Sequence, residues 1–190
     1  MTSLLKTNSA AFMRGDHVIT TDLSLTVSPG EVKLLVGPNG SGKTSVLRAL
    51  AGLLDADARI ESNAPFHWIS AQELPGSPQT VRDYLKMQTT LQDEPFHADY
   101  NTFGLQDRMD TPLNRLSTGW RQRVKLSCLT LYTRALWLLD EPSDGLDAHG
   151  LSILLDLLAA HRAAGGAAVI ATHQPDLWPK DAARIQMGAK

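Results

Sequence analysis

The sequence predicts an α/β fold in which a mostly parallel sheet is flanked by helices, and three observations predict it. Apolar, strand-like runs alternate with stretches of helical period along most of the chain, which argues for a sheet covered on both faces. A glycine-rich loop joins one such run to an amphipathic helix. A second apolar run ends in two adjacent carboxylates.

Taken in order, residues 18–27 alternate loosely, with Leu23, Leu25 and Val27 on one face, and Pro29-Gly30 turns the chain into the apolar run 32–36. This pattern predicts antiparallel strands feeding a buried strand. Over 44–54 the period changes, with Val46, Leu47, Leu50, Leu53 and Leu54 on one helical face. Residues 66–70 fit another short strand, and a proline-rich piece at 74–78 precedes a polar, helix-prone stretch at 81–91. A helix over 118–132, a buried strand at 136–139, a helix over 148–164 stopped by Gly165-Gly166 and a strand at 167–172 complete the series. One domain over 1–190 is expected, with a core of about 1–72 and 116–190 and a small helical subdomain of about 73–115.

Composition narrows the function. The 190 residues are 43% hydrophobic and carry a formal charge of −2, so no global electrostatic case exists for nucleic acid or for anionic lipid. The single cysteine, Cys128, allows no internal disulfide and has no ligand set for zinc around it; it is expected to be a small buried residue. No run approaches the roughly 20 apolar residues of a membrane span, and the first 15 residues lack the apolar core of a signal peptide. A cytoplasmic protein with no direct membrane insertion is expected, reaching the membrane through a protein partner.

Gly37-Pro38-Asn39-Gly40-Ser41-Gly42-Lys43-Thr44 fits the G-x-x-x-x-G-K-[ST] pattern, with Ser45 beside it, between a buried strand and an amphipathic helix. Glycines let backbone N–H groups curl around phosphate oxygens, and the helix dipole behind them favours an anion. Lys43 is expected to reach the terminal phosphates of ATP and the Thr44 hydroxyl to ligate Mg²⁺. The run 135–139 then delivers Asp140 and Glu141 to a strand C-terminus, where open α/β sheets bind ligands. Asp140 suits the Mg²⁺ shell, and Glu141 is placed to polarise a water for in-line attack on the γ-phosphate.

Between these motifs, Leu116-Ser117-Thr118-Gly119-Trp120-Arg121-Gln122-Arg123-Val124 resembles the LSGGQ signature of ABC ATPases, a branch of the P-loop NTPases. The run from Asp140 to Asp147 is similar to that family's Walker B and D-loop, usually written DEPTSGLD, with Asp147 as the D-loop aspartate. Thr172-His173 resembles its switch histidine. Gln72, after the strand at 66–70, resembles its Q-loop glutamine, and Phe12 its adenine-stacking aromatic. The resemblance implies a homodimer or heterodimer in which Ser117 and the Gly119 amide close over ATP held by the partner cassette. It further implies that Glu141 and His173 serve hydrolysis, that Gln72, Thr44 and Asp140 hold Mg²⁺, and that separate polytopic permease subunits are driven from the cytoplasmic face of the membrane. A soluble ABC mechanoenzyme is the alternative; it would need a long heptad insertion or a second cassette, and the sequence has neither.

The sequence departs from the family at Thr118 and Trp120, which stand where the signature usually has glycine and glutamine. About 80 residues separate Gly37 from Leu116, a compact layout with a shortened antiparallel part. With Thr172-His173-Gln174-Pro175, that layout resembles the ATP-binding subunits of bacterial haem exporters in cytochrome c biogenesis; another small exporter cassette remains the alternative. The basic residues between Arg121 and Lys125 are expected on a solvated helix face, with Val124, Cys128 and Leu131 on the apolar one.

Overall fold

The computed structural model describes residues 3–14, 17–54, 56–57, 60–62, 64–92 and 102–188, with the backbone alone at 9–10, 12–14, 17–22 and 56–57. In chain order the strands and α-helices are β1 (Leu5–Arg14), β2 (His17–Val27), β3 (Val32–Val36), α1 (Lys43–Leu50), β4 (Ala56–Asp57), β5 (Ile60–Ser62), β6 (Phe66–Ile69), α2 (Val81–Leu91), α3 (Thr118–Ser127), β7 (Leu136–Asp140), α4 (Ala148–Ala163), β8 (Ala167–Thr172) and β9 (Ala183–Gln186). The chain divides into two units. The first holds Met1–Ala71, Arg134–Pro142 and Leu158–Lys190; the second holds Gln72–Thr133 and Ser143–Leu157.

The first unit is built on a five-stranded sheet in the order β6-β7-β8-β3-β9, with every pairing parallel. Parallel pairing follows from the sequence, because β7 and β8 are apolar up to their last residues, Asp140 and Thr172, and buried throughout, as strands covered on both faces must be. Leu34, Leu35, Leu136, Leu138, Val169 and Ile170 are fully buried. Val46, Leu47, Ala49 and Leu50 of α1 share the first unit's hydrophobic core with Leu35, Leu138 and Val169. That packing fixes where the loop between β3 and α1 stands. Beside this sheet, β1 pairs antiparallel with β2, β4 and β5. Leu5, Leu25 and Val27 of that second sheet turn into the same core. Helix α1 ends at Leu50 and not at 54: Gly52 takes a φ of 69°, which stops the helix and leaves Leu53 62% exposed.

The second unit opens at Gln72. A capping box starts α2, where Asp83 N donates to Thr80 Oγ1 at 3.1 Å and Thr80 N to Asp83 Oδ2 at 3.4 Å. The unit takes in more than the middle stretch, because α3 is tied to that stretch by its own basic side chains. Lys125 Nζ donates to Gln72 O at 2.9 Å, Arg121 pairs with Glu73 at 3.4 Å, and Arg123 Nη1 donates to Phe103 O at 3.3 Å. The expectation of a solvated basic face on α3 is therefore corrected: Arg123 and Lys125 are each only 8% exposed. Cys128, also buried, lies in the short 3₁₀ turn after α3, where burial raises its thiol to about 12. Among the described residues, no helix is long and apolar enough to cross a membrane.

Candidate nucleotide site

In the first unit the loop after β3 is held by backbone geometry that glycine permits. Gly40 and Gly42 have φ of 84° and 94°, and Gly42 caps the N-terminus of α1. A Cβ at Gly37 would stand 2.6 Å from Met187 O and 2.7 Å from Ser41 Oγ, whereas one at Gly40 would meet nothing within 4 Å. The loop is thus walled on one side by the chain beyond β9, where Met187 N donates to Val36 O at 2.7 Å. Gly188 completes the wall, since its Cβ would come 2.9 Å from Ser41 Cβ.

Lys43, 6% exposed, folds back over this loop, its Nζ donating to Gly37 O at 2.8 Å and Pro38 O at 3.2 Å. It also lies 3.4 Å from Glu141 Oε1. Thr44 and Ser45 follow in the first turn of α1, where unpaired backbone N–H groups and the dipole favour an anion. The Thr44 hydroxyl donates to Asp140 Oδ1 at 3.1 Å. Asp140 is 1% exposed, and its other oxygen, Oδ2, is buried without a hydrogen-bond partner. Burial pushes the Asp140 carboxyl up from its ordinary value, with the Thr44 bond opposing the shift. A buried, half-satisfied carboxylate beside a hydroxyl is the donor set a hard divalent cation takes, so these two residues fit Mg²⁺.

Glu141 has a φ of 45°, the left-handed region that an L side chain occupies under strain. Its N–H donates to Ala171 O at 3.0 Å. Its carboxylate is gripped from the neighbouring strand end: His173 N donates to Oε2 at 3.2 Å, and His173 Nδ1 lies 3.0 Å from the same oxygen. A carboxylate only accepts, so His173 Nδ1 donates to it. On the other side of the ring, His173 Nε2 lies 3.0 Å from the Gln174 side-chain nitrogen. Lys43, Glu141, His173 and Gln174 thereby form one chain of polar contacts.

Gln72, Ser117, Gly119 and Asp147 belong to the second unit. Ser117 caps α3, accepting from Trp120 N at 3.3 Å, and Gly119 lies in the first turn, where a Cβ would press 2.8 Å from Gly145 O. Asp147 Oδ1 accepts from Gly150 N at 2.8 Å and from Arg123 Nη2 at 2.6 Å. Those two bonds hold its carboxyl below the usual carboxylate range. Phe12 lies on β1, paired with Thr20 and Ala56, but its side chain falls outside the described residues.

The model of the ABC transporter family matches residues 20–144 of this chain. The chain belongs to the ABC transporter family. It is 34% identical, over 97% of its length and 92% of theirs, to the cytochrome c biogenesis ATP-binding export protein CcmA of Maricaulis maris, and 38% identical, over 87% and 86%, to that of Novosphingobium aromaticivorans. Among solved structures, an ABC transporter ATP-binding protein from Pyrococcus furiosus superposes with a TM-score of 0.83 at 20% identity, covering 96% of both chains. An inward-facing metal-chelate-type ABC transporter superposes at 0.81 and 22% identity, over 98% of this chain and 80% of that one. This ABC chain is therefore an ATPase, the ATP-binding subunit of a transporter, with the fold of an ABC cassette.

Gln174 and Arg123 stand inside sequence motifs that assign them no site role. Gln174 follows the candidate switch histidine, and only the geometry of His173 brings it into the first unit's polar contacts. Arg123, in the second unit, reads from sequence as part of a solvated basic face, because its partners lie 20 and 24 residues away.

Proposed function

We propose that this ABC subunit binds MgATP at the loop 37–45, pairs with a second cassette, and hydrolyses ATP with Glu141 as general base to energise haem export for cytochrome c maturation. The observation carrying the catalytic half is the convergence of Lys43 and His173 on the Glu141 carboxylate, at 3.4 Å and 3.0 Å. Lys43 is the cation that both the carboxylate and a terminal phosphate compete for. When phosphate takes it, Oε1 of Glu141 is released toward the attacking water while His173 keeps hold of Oε2. Thr44 and Asp140 would hold Mg²⁺, with Gln72 as a further ligand by the family resemblance, and the ion would supply positive charge to neutralise the phosphates. Ser117 and the Gly119 amide act on the partner's ATP at the N-terminus of α3, and Asp147 lies in the surface between cassettes. The relatives named for cytochrome c biogenesis, matched along nearly the whole chain, support the cargo. Polytopic permease subunits complete the transporter at the cytoplasmic face of the membrane, and nucleic acid has no part in it.

Glu141→Gln tests this reading. Hydrolysis falls by about 10²–10⁴-fold, as for loss of a general base, while ATP binding persists and light scattering shows an ATP-dependent dimer. Turnover at the wild-type rate overturns the assignment. For the cargo, the subunit recovered from detergent-solubilised membranes carries a permease, and its deletion leaves c-type cytochromes without haem; normal cytochrome c maturation in the deletion strain refutes haem export.

A further inference from the structure

Trp120 stands in the first turn of α3, and two guanidinium groups cover its ring: Arg108 Cζ lies 4.1 Å and Arg123 Cζ 4.9 Å from the ring centroid. Arg123 is the unusual member of the group, a cation only 8% exposed. Its two ends reach acceptors on different segments, Nη1 donating to Phe103 O at 3.3 Å and Nη2 to Asp147 Oδ1 at 2.6 Å. Gly150 leaves room for the Arg123–Asp147 pair, since a Cβ there would lie 3.0 Å from Asp147 Oδ1 and 3.4 Å from Arg123 Nε.

A guanidinium is planar, so its tilt decides whether its two ends can reach two acceptors on different segments at once. Hydrogen bonds fix directions within the plane. A face contact with an aromatic ring fixes the plane itself, and indole gives the strongest such contact. We infer that Trp120 is a positioning residue: it sets the plane of Arg123, which holds Asp147 at the start of α4 in the orientation presented to the second cassette. Glutamine, the usual residue of the signature that this segment resembles, has no π face to offer two cations. Asp147 keeps 67% of its side chain exposed and is available to a partner surface. The functional consequence rests on the dimer reading above, whereas the Arg123 geometry does not.

The test uses the full chain carrying Glu141→Gln, with Trp120→Phe, Trp120→Gln and Arg123→Lys added in turn. Hydrogen exchange at the Arg123 Nε–H, read by NMR without nucleotide, reports the guanidinium directly; light scattering with MgATP reports the dimer, and nucleotide titration reports binding in cis. Trp120→Gln accelerates the exchange and weakens the dimer, each by about 10-fold, with ATP affinity unchanged, while Trp120→Phe, keeping a π face, stays within about 3-fold of the parent. Arg123→Lys keeps the charge, loses the fork, and reproduces the dimer defect, and combining it with Trp120→Gln adds nothing further, as expected of residues acting in series. Unchanged Arg123 exchange in Trp120→Gln overturns the inference even if the dimer weakens, since Trp120 would then act on the partner itself. If the Glu141→Gln parent never dimerises, the dimer reading falls, and the exchange measurement still decides the role of Trp120. Should Trp120→Gln fail to fold, Trp120→Leu, which fills the space without a π face, takes its place: faster Arg123 Nε–H exchange in Trp120→Leu upholds the inference, and unchanged exchange overturns it.

Discussion

Replacing Glu141 by alanine and by glycine separates its backbone from its chemistry. Both variants delete the carboxylate, and with it the contacts to Lys43 and His173, so the difference between them reports the main chain alone. At a φ of 45° the left-handed conformation costs an L residue about 1–2 kcal/mol. Glycine avoids that cost but gives up about 0.4–1 kcal/mol through its freer unfolded chain. The balance leaves Glu141→Gly more stable than Glu141→Ala by about 1 kcal/mol, a difference of about 2–4 °C in Tm for a chain of this size. Thermal unfolding followed by circular dichroism, without nucleotide, measures it, and urea titrations with equal slopes confirm that only stability changed. Neither variant hydrolyses ATP. An alanine variant as stable as the glycine one refutes the claim that this position stores strain, and with it the view that the carboxylate is kept in place against a local steric preference.

Asp140→Asn removes a buried charge whose second oxygen has no partner, so the nucleotide-free, metal-free protein gains thermal stability at neutral pH while Mg²⁺-dependent ATPase activity is lost. The sign follows from the raised carboxyl: its contribution to stability is present at low pH and lost as pH rises through the folded-state value, so the advantage of asparagine shrinks on acidification, as melts across the carboxylate range will read. A less stable Asp140→Asn at pH 7 contradicts this. Gly119→Ala gains about 0.8–1 kcal/mol of helix propensity but drives a methyl to 2.8 Å from Gly145 O, an overpacking worth about 1–3 kcal/mol. Its Tm therefore falls by a few degrees and its ATPase rate drops at least about 10-fold, and wild-type values for both would remove Gly119 from the site.

The phosphate loop and the Asp140-Glu141 pair were legible because each is local: a contiguous motif following a strand that is apolar at almost every position. The same locality explains the omissions. β1, β4, β5 and β9 carry no run of their own that separates them from loop sequence, and they exist as strands through partners elsewhere, β9 through β3 some 150 residues earlier. Helical periodicity carried α1 on to Leu54, since Leu53 and Leu54 continue its apolar spacing, but Gly52 takes a positive φ that the pattern does not encode. Charge misled on α3 for a comparable reason. Arg123 and Lys125 look solvated until Phe103 O, Asp147 and Gln72 O arrive from distant segments to pair with them. Within the site, the proton on His173 Nδ1 follows from geometry alone.

Gly37, Ser41 and Gly188 touch across an interval of about 150 residues, so they form one steric unit and mutate as one. A side chain gained at Gly188 crowds Ser41, while one gained at Gly37 crowds Ser41 and the carbonyl of Met187 together. Effects at these positions will not add. Tolerance measured at any one of them is conditional on the other two, and a library that varies the motif while freezing residues 187–188 will undercount the sequences able to form the loop.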